Sequence, residues 1–101
     1  MKLIFSSVFE SDLAELSGYF SAQAGAAVAL KFEEEICSVL ALIQHQPEIG
    51  RIRRELKPDG VRSFVVPNFR NYVLFYQIAG DELKIFRVRF GGMDLPALFQ
   101  S

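Results

Sequence analysis

The chain has 101 residues, half of them hydrophobic and 13% aromatic, with ten phenylalanines and a single cysteine. That is the usual size of one domain, apolar enough for a packed core and too apolar for a disordered chain. A formal charge of −1 excludes the strong positive field of a general nucleic-acid binder.

Uninterrupted apolar stretches reach only five residues, as in Ala26 to Leu30, far short of the roughly 20 that a membrane span requires. The opening Met1-Lys2-Leu3-Ile4-Phe5-Ser6 is too short an apolar run for a secretory signal. One soluble, cytoplasmic domain over residues 1–101 is therefore expected. A lone cysteine allows no intramolecular disulfide and no thiolate zinc site.

Residues 2–5 form a short apolar run that suits a strand. Ser7-Val8-Phe9-Glu10 matches a capping box, with Ser7 as the expected helix cap. Behind it Phe9, Leu13, Leu16 and Phe20 recur at helical spacing, and Gly25 offers a left-handed stop. A second helical stripe follows in Leu30 or Phe32, Ile36, Val39 or Leu40, and Ile43, ended by Pro47 and Gly50. So few residues separate the two stripes that an antiparallel helical hairpin is expected. Cys37 lies inside the second stripe and is expected to be a small buried hydrophobe. Glu33, Glu34 and Glu35 are read as a solvated face early in the helix, where the macrodipole favours acid.

Beyond Gly50 the pattern changes. Val61 to Val66, Tyr72 to Ile78 and Leu83 to Phe90 are rich in β-branched and aromatic residues. Turn residues bound them at Pro58-Asp59-Gly60, Pro67-Asn68 and Gly80-Asp81. Three strands with short links predict an antiparallel meander that the first strand can join. The fold class is α+β, in the order β-α-α-β-β-β. Gly91-Gly92 closes the sheet, and Met93 to Phe99 is a tail with room for one helical turn.

Charge divides unevenly along this order: residues 1–50 carry −5 and residues 51–101 carry +4. Helices that are acidic and a sheet that is basic suit an anionic partner, although solvated charge with intramolecular pairing accounts for the same numbers. His45 is the only histidine and has no partner ligands at helical spacing, so no metal site and no cofactor are expected. The arginines are more informative. Alternation along the last strand puts Arg87 and Arg89 on the face of Leu83 and Ile85, with Lys84, Phe86, Val88 and Phe90 opposite. Arg62 lies on the first strand of the meander, and Arg51, Arg53 and Arg54 on the loop before it. Such a set either recognises phosphate or carboxylate or forms ion pairs, with Asp94 and Glu55 among the partners. For Arg62 the structural reading is preferred; for Arg87 both stand.

Taken in order, several stretches resemble the ParE/RelE family, the toxin halves of bacterial type II toxin–antitoxin pairs, also known as plasmid stabilisation proteins. They are Asp12-Leu13, the helix from Ala29 to Ile43, Pro47-Glu48-Ile49-Gly50, Gly60-Val61-Arg62, Tyr72-Val73-Leu74-Phe75-Tyr76 and Ile85-Phe86-Arg87-Val88. The resemblance implies the same β-α-α-β-β-β fold and a cognate antitoxin. It also implies one of two mechanisms. RelE-like members cut messenger RNA on the ribosome, whereas ParE-like members poison DNA gyrase without nuclease chemistry. Pro47 to Gly50 and Gly60-Val61-Arg62 are closer to the ParE branch. Where many relatives carry a histidine at the end of the last strand and an arginine shortly afterwards, this chain has Phe90 and Met93, and its tail offers Phe99 and no tyrosine. RNA cleavage needs an acid, a base and charge stabilisation, and neither Phe nor Met supplies them. The expected function is gyrase inhibition under antitoxin control, with Arg62, Tyr76, Arg87 and Arg89 as target-binding candidates and no catalytic residues. The alternatives are a ribosome-dependent endoribonuclease and a weakened toxin that keeps only antitoxin binding.

Overall fold

A computed structural model describes residues 1–92 and residue 99. Strand β1 (Lys2–Phe5) leads into helix α1 (Ser7–Ala24) and helix α2 (Ala26–His45). A 3-10 turn (Pro47–Ile49) follows, then β2 (Arg51–Ile52), β3 (Val61–Val65), β4 (Tyr72–Ala79) and β5 (Glu82–Phe90). The five strands form one sheet in the order β1-β5-β4-β3-β2. The expected meander is present as β3, β4 and β5, paired antiparallel. The first strand joins it parallel to β5, with Lys2 opposite Glu82. Strand β2 was not expected; two residues are too few to carry an alternating pattern.

The helical hairpin is tighter than its sequence suggests, because Gly25 alone separates the helices. Its φ of 98° and ψ of 164° lie in a region that is essentially open to glycine only. The stripe residues Phe9, Leu16, Phe32, Ile36, Val39 and Ile43 are buried, and Leu13 and Phe20 pack beside them. Phe20 and Phe32 lie 4.9 Å apart by ring centroid and meet Phe69 and Tyr72 at 5.1 to 5.9 Å. Leu74, Tyr76, Leu83, Ile85 and Val88 supply the sheet side of this core.

Four local expectations are corrected. The cap of α1 is Ser6 and not Ser7: the Ser6 Oγ accepts from the Phe9 amide at 2.9 Å and donates to the Phe86 carbonyl at 2.8 Å. Cys37 is exposed, because one residue beyond Ile36 turns about 100° round the helix. It lines a groove between the helices with Leu13, Ala14 and Ser17. Helix α2 begins at Ala26, so Glu33 to Glu35 lie about two turns inside it, beyond the reach of the macrodipole. Glu33 accepts from the Ser17 hydroxyl across the hairpin, and Glu35 from Asn68 at 2.9 Å.

The fourth correction concerns β5. The register with β4 shifts between Phe75 and Tyr76, so that Phe75 faces Arg87, Tyr76 faces Ile85, and Phe86 is the bulged residue. A bulge reverses alternation beyond it. Val88 therefore joins Leu83 and Ile85 on the helix side, and the Phe90 ring packs on Tyr72. Phe86 packs on the far face with Leu56, Val61, Val73, Phe75 and Phe99. By register Arg87 and Arg89 belong to that far face, opposite Phe75 and Val73. The helical turn expected for the tail and the pairing with Asp94 lie outside the described residues, as does Met93.

Candidate functional site

The four candidate residues fall into two pairs with different duties. Arg62 and Tyr76 face each other across β3 and β4, and both hold the connection that leaves α2. The Tyr76 side chain is fully buried. Its hydroxyl donates to the Pro47 carbonyl at 2.7 Å and accepts from the Gly50 amide at 2.9 Å. Burial raises the phenol pKa above its usual value of 10.0, with the Gly50 amide and the Arg62 charge opposing. The Arg62 guanidinium donates to the carbonyls of Glu48 and Gly50 at 3.1 and 2.9 Å. Gly50 is required there, since a Cβ would lie 2.5 Å from the Tyr76 hydroxyl. Two side chains thus fix Pro47 to Gly50 against the sheet and set the start of β2.

Arg87 and Arg89 converge instead on Asp12 of α1. Strand β1 ends at Phe5, opposite Ile85, which leaves the outer edge of β5 open beyond that point. The first turns of α1 close it. Asp12 is 3% exposed; it accepts from Arg87 Nε at 2.9 Å and Nη2 at 2.8 Å, from Arg89 Nη1 at 3.3 Å, and from the Val88 amide at 3.3 Å. The fork of Arg87 is bidentate, the strong form of this contact. The Asp12 carboxylate raises the pKa of Arg87 above the ordinary arginine value, against the opposing effect of burial. Glu15 meets Arg89 Nη1 at the outer rim, at 3.5 Å.

The far face carries a further basic row that the sequence reading did not assemble. Arg51, Ser63, Phe75 and Arg87 stand opposite one another across β2, β3, β4 and β5. Val61, Gln77 and Lys84 form a parallel row. Arg53 extends the set, donating to Ser63 Oγ at 3.3 Å while its ion pair with Glu55 closes at 2.7 Å. That pair is the expected loop contact. Arg53 also holds the Glu55 carboxyl below its ordinary value of 4.5. Alternation in β3 and β4 carried the signal for this row, but only with the register known.

His45 is exposed at the end of α2, as expected for a solvated helix end. Among the described residues no group of three or more His, Cys, Asp or Glu side chains could hold a metal ion. Among the same residues no helix is long and apolar enough to cross a membrane. The residue missed altogether was Asp12 as a buried anchor. Its signal was present, because an acid at position 12 interrupts the stripe of Phe9, Leu13 and Leu16.

Comparison with protein families matches residues 3–95 to the family described as the ParE toxin of the type II toxin–antitoxin system parDE. No curated protein matches. Among solved structures, the chain is similar to one described as the chromosomal ParDE toxin–antitoxin system from P. aeruginosa, with a TM-score of 0.75 and 21% identity. The alignment covers 89% of this chain and 95% of that one; at this identity the likeness is one of fold.

Proposed function

Because this chain belongs to the ParE toxin family of type II toxin–antitoxin systems, we propose that it acts in the cytoplasm as a gyrase-inhibiting toxin silenced by a cognate antitoxin. The observation that carries inhibition by binding, over RNA cleavage, is the occupation of its arginines. Arg87 and Arg89 are tied to a buried carboxylate, and Arg62 to two backbone carbonyls. A nuclease would aim such groups at phosphate and would set an acid and a base beside them. Tyr76 has its hydroxyl committed on both sides, and Phe90 packs edge-to-face on Tyr72 where proton transfer would be wanted.

In this reading the partly exposed guanidiniums of Arg87 and Arg89 contact the target at the rim of the far face. Arg62 and Tyr76 contribute by shaping Pro47 to Ile52. The antitoxin covers apolar surface at the seam between the helices and the sheet. A cavity of about 540 Å³ opens there, lined by Met1, Pro47, Ile49 and Ile78. Calorimetry of the complex should show a negative heat-capacity change. A complex without one, abolished by moderate salt, would make the contact purely ionic.

The test of function is controlled expression in bacteria. Gyrase poisoning arrests replication and induces the DNA-damage response while translation extracts stay active. Ribosome-dependent RNA cleavage that is lost in Arg87→Ala would establish the endoribonuclease instead. Absence of both activities with antitoxin binding intact would establish a weakened toxin.

A further inference from the structure

Strand β1 ends at Phe5, opposite Ile85, and Ser6 turns the chain into α1. The bulge in β5 falls at the next residue, Phe86. In a regular strand successive carbonyls turn to opposite edges. Here two in a row turn to the same one. The Ile85 carbonyl accepts from the Ser6 amide at 3.1 Å, and the Phe86 carbonyl accepts from the Ser6 hydroxyl at 2.8 Å. One residue therefore serves both carbonyls that the bulge brings to this edge. The next polar group along it, the Val88 amide, is taken by Asp12 at 3.3 Å.

The bulge decides what the last strand displays. With it, Val88 is buried on the helix side and Arg87 stands opposite Phe75 on the far face. Without the extra residue, alternation would return Arg87 and Arg89 to the side of Leu83 and Ile85 and expel Val88. Side-chain burial thus favours the bulge, and the Ser6 hydroxyl satisfies the backbone group that the bulge leaves over. Removing that donor orphans a carbonyl at a part-buried site.

We infer that Ser6 is a positioning residue for Arg87 and Arg89. Its hydroxyl holds the bulge that aims both side chains at the far face. Asp12 grips the guanidiniums themselves; Ser6 acts on the backbone that carries them. A consequence for target binding rests on the proposed contact of these two arginines with the target. The role is separable from helix capping, in which the same oxygen accepts from the Phe9 amide at 2.9 Å. A hydroxyl donates once and accepts as well, whereas a carboxylate only accepts. Asp at this position therefore keeps the cap and loses the bond to Phe86, while Thr keeps both.

The test compares Ser6→Asp, Ser6→Gly and Ser6→Thr with wild type by NMR of the full chain. Gly is tolerated at a cap at little cost and removes the donor without adding charge. Ser6→Asp and Ser6→Gly should both speed amide exchange at Phe86 to Val88 by about tenfold, equivalent to 1.4 kcal/mol, and shift the Nε–H signals of Arg87 and Arg89. Amides of α2 should be unchanged, which shows that the fold is intact, and Ser6→Thr should match wild type. In a supercoiling assay the first two variants should inhibit gyrase about tenfold less well, with Ser6→Thr fully potent. Unchanged exchange and arginine signals in Ser6→Gly would overturn the inference. So would changes confined to Ser6→Asp, which would make added charge the cause, or changes spread equally through α2. Full inhibition by a variant with a loosened bulge would overturn the link to the target. A wild-type chain that leaves gyrase untouched would refute the proposed target alone, and the NMR comparison would still decide the role of Ser6.

Discussion

Replacing Asp12 by alanine should remove a large fraction of the stability of this domain. The carboxylate is 3% exposed and accepts from two guanidiniums and one edge amide. Breaking a buried ion pair from one side costs about 3–5 kcal/mol, because the other charge stays behind. Here the Arg87 and Arg89 side chains are 20% and 15% exposed, so water can reach part of each and the lower end applies. A loss of about 3 kcal/mol is large against the roughly 5–15 kcal/mol of a native domain. At about 4–8 °C per kcal/mol for a domain of this size, it lowers the melting temperature by about 12–24 °C. Circular dichroism melts of wild type, Asp12→Ala, Arg87→Ala and the double variant close a mutant cycle. The coupling should lie at the upper end of the roughly 0.5–3 kcal/mol seen for contacting pairs. The Val88 amide should also exchange faster with solvent in Asp12→Ala. The pKa of Arg87 is raised, so its contribution is complete at every pH below the ordinary arginine value and is lost only above it. The coupling should therefore be the same at pH 6 and pH 9. A loss below about 1 kcal/mol, the range of an exposed ion pair, would refute the view that Asp12 closes the β5 edge.

Gly50→Ala should destabilise by about 1–3 kcal/mol in chemical unfolding, because its Cβ overlaps the buried Tyr76 ring and overpacking costs that much; wild-type stability would show that the 47–50 segment can yield. Tyr76→Phe should cost about 1–3 kcal/mol by orphaning the Gly50 amide and Pro47 carbonyl. The raised phenol pKa adds a sign: stability from Tyr76 is full below the ordinary value of 10.0 and is lost as pH rises through the folded value. Alkaline destabilisation above pH 10 should accordingly be shallower in Tyr76→Phe, and an unchanged slope would count against the burial. Ile36→Ala should cost about 2–5 kcal/mol, since the side chain is fully buried beneath the hairpin; denaturant melts without such a loss would mean that the helical face is misassigned.

The helices were legible because Phe9, Leu16, Phe32, Ile36, Val39 and Ile43 repeat at a spacing only one conformation can bury together. The meander was legible from turn residues such as Gly80, whose φ is 64°. Faces were a different matter. One bulge at Phe86 reversed the alternation on which the placement of Arg87 and Arg89 rested, and a bulge has no mark in an apolar strand. The clamp of Arg62 and Tyr76 on Pro47 to Gly50 could not be read either, because it joins residues 12 to 29 positions apart. Asp12 was the readable exception: an acid on an apolar stripe asks for a buried partner, and the basic last strand offered two.

DNA supercoiling by purified gyrase tests the central claim most directly, with the toxin alone and with the toxin held by its antitoxin. Inhibition by the free chain, relieved by the antitoxin and accompanied by intact messenger RNA in a translating extract, is the result expected. Undisturbed supercoiling together with ribosome-dependent RNA cleavage that Arg87→Ala abolishes would contradict it.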